Sequence, residues 1–182
     1  MKEKRFGILE CWGAPVSFAL AVLVHFLYPW SGYSVWAGLI GAANESVWEH
    51  AKILLIPYGL WSIVEFFAVK PPFKRFVAAK TAALFAMPAA MIGFFYLYTH
   101  FTGGSALAVD IIATAVWLAL GFVLSSALMK SPKTDAWFTA SVFALVLLAV
   151  MLISFTVNPP QAGIFRDPVT GGFGLFAAVG RS

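Results

Sequence analysis

Residues 136–157 read AWFTASVFALVLLAVMLISFTV, a stretch with no charged side chain, closed by Asn158-Pro159-Pro160. About 20 predominantly apolar residues suffice to cross the hydrocarbon core of a bilayer as a helix. Backbone groups in lipid find no water, so such a stretch must satisfy its own hydrogen bonds and is helical. Four further stretches of this kind precede it, at about 11–30, 45–69, 76–100 and 106–129. They end at Ser31-Gly32, Lys70-Pro71-Pro72, Thr102-Gly103-Gly104 and Lys130-Ser131-Pro132, residues that stop helices. The sequence therefore predicts an all-α fold: a polytopic transmembrane bundle of five spanning helices, in a single domain over 1–182 with no internal repeat. The apolar piece at 34–43 is too short to cross and reads as a half-helix on the outer side, and 158–182 is an outer tail rich in glycine and turn residues.

Composition agrees. Of 182 residues, 61% are hydrophobic and 11% charged, where a soluble domain carries about 25% charged residues. Mean hydropathy is +0.87. So few polar groups cannot cover an apolar core of this size in water. The net charge of +4 is no sign of a nucleic-acid partner, because the basic residues lie singly or in small groups between apolar runs. The lone cysteine, Cys11, excludes an intrachain disulfide and reads as a packing residue. The first span follows Lys2, Lys4 and Arg5, but it exceeds the ~7–15 residues of a secretory signal core and is expected to be retained.

Orientation follows from the excess of Lys and Arg in cytoplasmic segments. Lys2, Lys4 and Arg5 precede the first span, Lys70, Lys74, Arg75 and Lys80 fall between the second and third, and Lys130 and Lys133 between the fourth and fifth. The N-terminus is thus expected inside and the C-terminus outside. On that topology Glu3, Glu10 and Asp135 sit at cytoplasmic ends. His25, Glu45, Glu49, His50, His100, Asp110 and Asp167 gather at the outer side, and Glu65 stands alone toward the cytoplasm. An ionised group near the bilayer centre costs roughly 2.5–3.5 kcal/mol on insertion scales, so such residues face partners or water.

The sharpest local feature is NESVWEH at 44–50, followed by Lys52. Asn44 is placed as the N-cap of the second span, and the spacing of Glu45 and Glu49 puts both carboxylates on one helical face. Their repulsion calls for a cation: a proton, a metal or Lys52. Two readings stand here, a ligand site or a Glu49–Lys52 ion pair with Glu45 favoured by the helix N-terminus. The pattern is not HExxH. A divalent metal site would be assembled across helices from His25, His50 and His100 with Glu49 or Asp110, and bis-histidine haem ligation is the weaker use. In the tail, Arg166 either reaches back to an outer carboxylate or closes a surface turn with Asp167. The Asn44-Glu45-Ser46 triplet fits a glycosylation sequon but adjoins the membrane.

NESVWEH at 44–50 together with NPP…FRDPVTG at 158–171 resembles an uncharacterised family of small prokaryotic multi-spanning membrane proteins, catalogued as a domain of unknown function. The resemblance implies a prokaryotic inner membrane and supplies no activity. Three functions fit the residues. The first is an outward-facing site for a cation or small polar ligand, built from Asn44, Glu45, Glu49, His50, Asp110, Arg166 and Asp167, with transport through a homodimer as its extension. The second is a membrane-embedded hydrolase or transferase acting on an outer-leaflet lipid. The third is an accessory subunit whose polar residues pair among themselves.

Overall fold

The computed structural model describes residues 2–177; the side chains of Lys2 and Glu3 and the tail residues 178–182 lie outside the described part. It is all-helical in its main elements: α1 (Lys2–Trp30), α2 (Val35–Ile40), α3 (Val47–Val69), α4 (Phe73–Thr102), α5 (Leu107–Met129) and α6 (Phe138–Val157). Five helical segments are long and apolar enough to cross a membrane, and α2 is the short extra piece. Apolar side chains face outward, as Phe101 (80% exposed), Phe143 (73%) and Phe67 (70%) illustrate, while Glu49, Lys52 and Glu65 are buried. That inverted distribution is what a lipid solvent selects. The chain is built as a multi-pass membrane protein.

α3 is the central helix, with 44% of its apolar window buried against 17–28% for the other spans. It contributes Ala51, Leu54, Leu55 and Tyr58 to a core completed by Ala83 and Met87 of α4, Leu118 and Phe122 of α5, and Leu148 of α6. α1 lies along α3, and α4 and α5 pack as an antiparallel hairpin. Gly121 lets α5 approach Met87, and Gly13 lets α1 approach the Phe122 ring; a Cβ at either position would collide. Gly93, by contrast, faces open space.

Three boundaries differ from the sequence reading. α1 begins well before residue 11, because Glu10 is buried and paired and does not interrupt the helix. α4 starts directly after Pro71-Pro72, which draws Lys74, Arg75 and Lys80 into the helix instead of leaving them in a loop. α3 starts at Val47 with Ser46 as its N-cap. Asn44 plays a different part: its Oδ1 accepts from the Ser46 amide at 2.8 Å. Glu45 is therefore outside the helix and, contrary to its spacing, does not share a helical face with Glu49. α3 runs unbroken through Pro57 and ends at Lys70, in the left-handed region at φ 50°, whose amide donates to Phe66 O. The turn from α5 to α6 is fixed by Thr134 donating to Leu128 O and by a two-point Arg75–Asp135 pair at 3.2 and 3.0 Å.

Candidate functional site

Ionisable side chains collect at two ends of the bundle. One end carries the last turns of α1, the start of α3 and the tail; it holds the histidines. The other carries the start of α1, the α3–α4 connection and the α5–α6 turn, and it holds the surface lysines together with Arg5 and Arg75. We call them the histidine end and the basic end.

At the histidine end Glu49 and Lys52, both on α3, are fully buried and 2.7 Å apart. Lys52 Nζ also donates to Gly38 O at 2.7 Å and Gly41 O at 3.1 Å, so its three donors are all used. The Glu49 carboxylate accepts from the Ala43 amide at 2.8 Å and from Thr156 Oγ1 of α6 at 3.0 Å, besides Lys52. Asn44 Nδ2 donates to Gly174 O at 2.9 Å, and Tyr28 OH to Leu175 O at 2.8 Å. Gly174, at φ +71°, is pressed against Pro159 and the Thr156 and Val157 carbonyls, where no side chain fits. Of the two readings for Glu49, the structure has the ion pair. The NESVWEH and tail motifs meet as a hydrogen-bonded tie that joins α1, α2, α3, α6 and the tail.

The remaining sequence candidates fall into separate places. Asp167 is buried and accepts from Val169 N at 2.9 Å and Thr170 Oγ1 at 2.8 Å, and Arg166 Nε donates to Gly171 O at 3.3 Å. These residues close the tail turn; among the described residues Arg166 forms no ion pair with a carboxylate of the histidine end. The tail does cover the histidine end, but through the Gly174 and Leu175 carbonyls. Asp110 accepts from Tyr98 OH at 2.5 Å, fastening the α4–α5 hairpin, and His100 is exposed at the end of α4 beside Phe101. Neither joins the other histidines.

His25, Glu45 and His50 do come together. One candidate ligand atom from each lies within 4.8 Å of the others, and all three residues are half-buried. His50 Nδ1 lies 2.9 Å from Ser46 O. A carbonyl only accepts, so this nitrogen carries a hydrogen, and Nε2 lies 3.5 Å from Glu45 Oε2. The His25 ring stands 5.3 Å from that of His50, and its Nδ1 is buried with no hydrogen-bond partner among the described residues. A cleft of about 190 Å³ opens here, lined by His25, Phe26, Tyr28, Tyr33, Asn44 and Glu45. A larger groove of about 410 Å³ between α4 and α5, lined by Met87, Trp117, Gly121 and neighbouring apolar residues, holds none of the ionisable groups.

A family model for a family of unknown function, DUF6512, matches residues 1–175. The chain belongs to that family. No curated protein and no solved structure matches it. The DUF6512 match thus covers both motif segments and the two polar ends alike.

The basic end of this DUF6512 chain contains a cluster that reading the sequence missed. Lys80 Nζ of α4 lies 2.9 Å from Glu10 Oε1 of α1 and 2.5 Å from Glu65 Oε2 of α3. Ser125 of α5 bridges to both Glu10 oxygens at 3.3 Å. The ammonium is ringed by Tyr58 and Phe122, with centroids at 5.0 and 4.9 Å, and by Phe76 and Phe6 further out. The sequence places Glu10 and Lys80 among the charges at the cytoplasmic ends. The signal against that was their position: each stands inside an apolar run, and Glu65 faced no other partner. Between this cluster and Glu49 the α3 axis spans 16 residues, roughly 24 Å, filled by Leu54, Leu55, Tyr58, Met87 and Leu118.

Proposed function

We propose that this protein binds a divalent transition metal at the histidine end of its membrane bundle, on the face turned away from the cytoplasm in a prokaryotic inner membrane. The observation that carries the reading is the convergence of His25, Glu45 and His50. Two neutral imidazoles and a carboxylate are ligands that zinc and its neighbours accept, and three protein ligands leave a coordination position open. The Ser46 carbonyl orients His50 in the way that outer-shell acceptors orient metal-bound histidines. Bonds of ~2.0–2.1 Å put tetrahedral ligand atoms roughly 3.3 Å apart, so binding draws the three side chains inward by about an ångström. Their partial exposure leaves them room to do so. Glu49, Asp110, His100, Arg166 and Asp167 are engaged elsewhere or too remote to be ligands, and Asn44 supports the site from the adjoining loop.

The open position favours one elaboration, a metal-activated water acting on a lipid-linked substrate at the membrane surface. The apolar core between the two ends supports binding or surface chemistry over a standing path across the bilayer.

The test is elemental analysis of protein purified in mild detergent and exposed to zinc, manganese or iron. About one metal per chain is expected in the wild type, lost in His25→Ala and His50→Ala and weakened in Glu45→Gln. Metal retained by both histidine variants, or none in the wild type, would sink the reading.

A further inference from the structure

The basic-end cluster does not balance. Its charged members are Glu10 of α1, Glu65 of α3 and Lys80 of α4; Tyr58 of α3 also faces it, and α5 contributes only the neutral Ser125. Two carboxylates against one ammonium leave an uncompensated negative charge among groups that are 6, 0 and 4% exposed. The distribution of donors is as uneven. Glu10 receives the Lys80 ammonium and the Ser125 hydroxyl. Glu65 meets the ammonium through Oε2 alone, and its Oε1 has no hydrogen-bond donor among the described residues. The Tyr58 hydroxyl, on a side chain with no exposure, is likewise unpartnered and lies beside Ser125.

A buried carboxylate is tolerated when a cation and several donors share its charge, and costs several kcal/mol otherwise. Glu65 lacks the donors, and its cation is already shared with Glu10. The cheapest species that neutralises the surplus is a proton, which needs no cavity among side chains this deeply buried. Like carboxylates held around one centre resolve their repulsion in this way, one of them keeping its proton.

We infer that Glu10, Glu65 and Lys80 form a proton-binding site, in which one proton is shared by the two carboxylates over the Lys80 ammonium. In the resting state one carboxyl group is neutral and the other is paired with Lys80. The cluster lies roughly one to two helical turns inside the helix ends, so the proton exchanges with water at the basic end. Tyr58 and Ser125 stand where a hydroxyl can follow the charge as it moves between carboxylates. The site is independent of the metal reading at the opposite end, and each has its own measurement.

Infrared spectroscopy of the full chain in lipid at neutral pH tests it, using the carbonyl stretch of a protonated carboxyl group identified by its downshift in heavy water. The wild type should show that band. Glu10→Gln and Glu65→Gln should each abolish it, because either change leaves a balanced one-to-one pair with Lys80. Lys80→Met should strengthen the band, since both carboxyls then keep protons. Should Lys80→Met fail to fold, the two Glu→Gln variants, which preserve shape, still decide. No band in the wild type overturns the proposal, and so does a band that survives in either single Glu→Gln variant.

Discussion

Glu49–Lys52 at the histidine end and Glu10–Lys80–Glu65 at the basic end are both buried and both charged, yet they are built oppositely. The first is balanced and saturated: one carboxylate, one ammonium, and a partner for each donor of Lys52 and each oxygen of Glu49. The second carries a surplus carboxylate and orphaned oxygens, and is lined by aromatic rings instead of backbone carbonyls. A saturated pair resists any change of protonation and serves to hold elements together. An unsaturated one has a vacancy that chemistry can use. The comparison separates a structural ion pair from a titrating one by counting donors, without reference to motif.

The same substitution at the two ends breaks the comparison most directly. Glu49→Gln strips Lys52 of its counter-charge and leaves a buried ammonium, with an expected loss of about 3–5 kcal/mol. Thermal unfolding in detergent would read this as a large fall in Tm, and Glu49→Gln combined with Lys52→Met should recover part of it. A small effect of Glu49→Gln alone would remove the distinction between the two ends.

Asn44→Ala tests how the tie is shared with the tail. It deletes the bond to Gly174 O and the local bond to the Ser46 amide, a loss of about 1–3 kcal/mol. Proteolysis beyond Asn158 should accelerate more than cleavage elsewhere. Uniform acceleration along the chain would mean that the tail is held mainly by Tyr28, Phe165 and Leu175.

Glu65→Gln sharpens the contrast from the other side. It removes the surplus charge and leaves Glu10 paired with Lys80, so stability should change by less than about 1 kcal/mol. A cost comparable to that of Glu49→Gln would show that Glu65 is a structural partner of Lys80. At the bottom of the scale, Gly93→Ala faces open space on α4 and should be neutral or slightly stabilising, by no more than about 1 kcal/mol.

The two polar ends also differ in how far the chain itself disclosed them. NESVWEH drew attention because three ionisable residues stand close in sequence, and the ion pair between Glu49 and Lys52 was one of the readings it offered. Glu10, Glu65 and Lys80 come from three helices, with Glu10 and Lys80 70 positions apart. Glu10 and Lys80 taken singly read as charges at cytoplasmic ends, and Glu65 as a lone carboxylate without a partner in its own helix. The proposed metal ligands show the intermediate case: the sequence offers His25 and His50, but Glu45 takes the place of Glu49 because Asn44 and Ser46 start the helix later and fold Glu45 back over His50.

By itself the sequence determined that the chain forms helices long enough to cross a bilayer, and where the connections between them fall. Lipid leaves an apolar backbone no other way to satisfy its hydrogen bonds, and Pro and Gly stop helices locally. Only the tertiary structure decided which charges are buried, which carboxylate meets which cation, and which is left without a donor. Those outcomes depend on each helix's rotation and depth against its neighbours. Hydropathy along the chain carries no information on either, because it sums over all faces of a helix, whereas an ion pair is made by one.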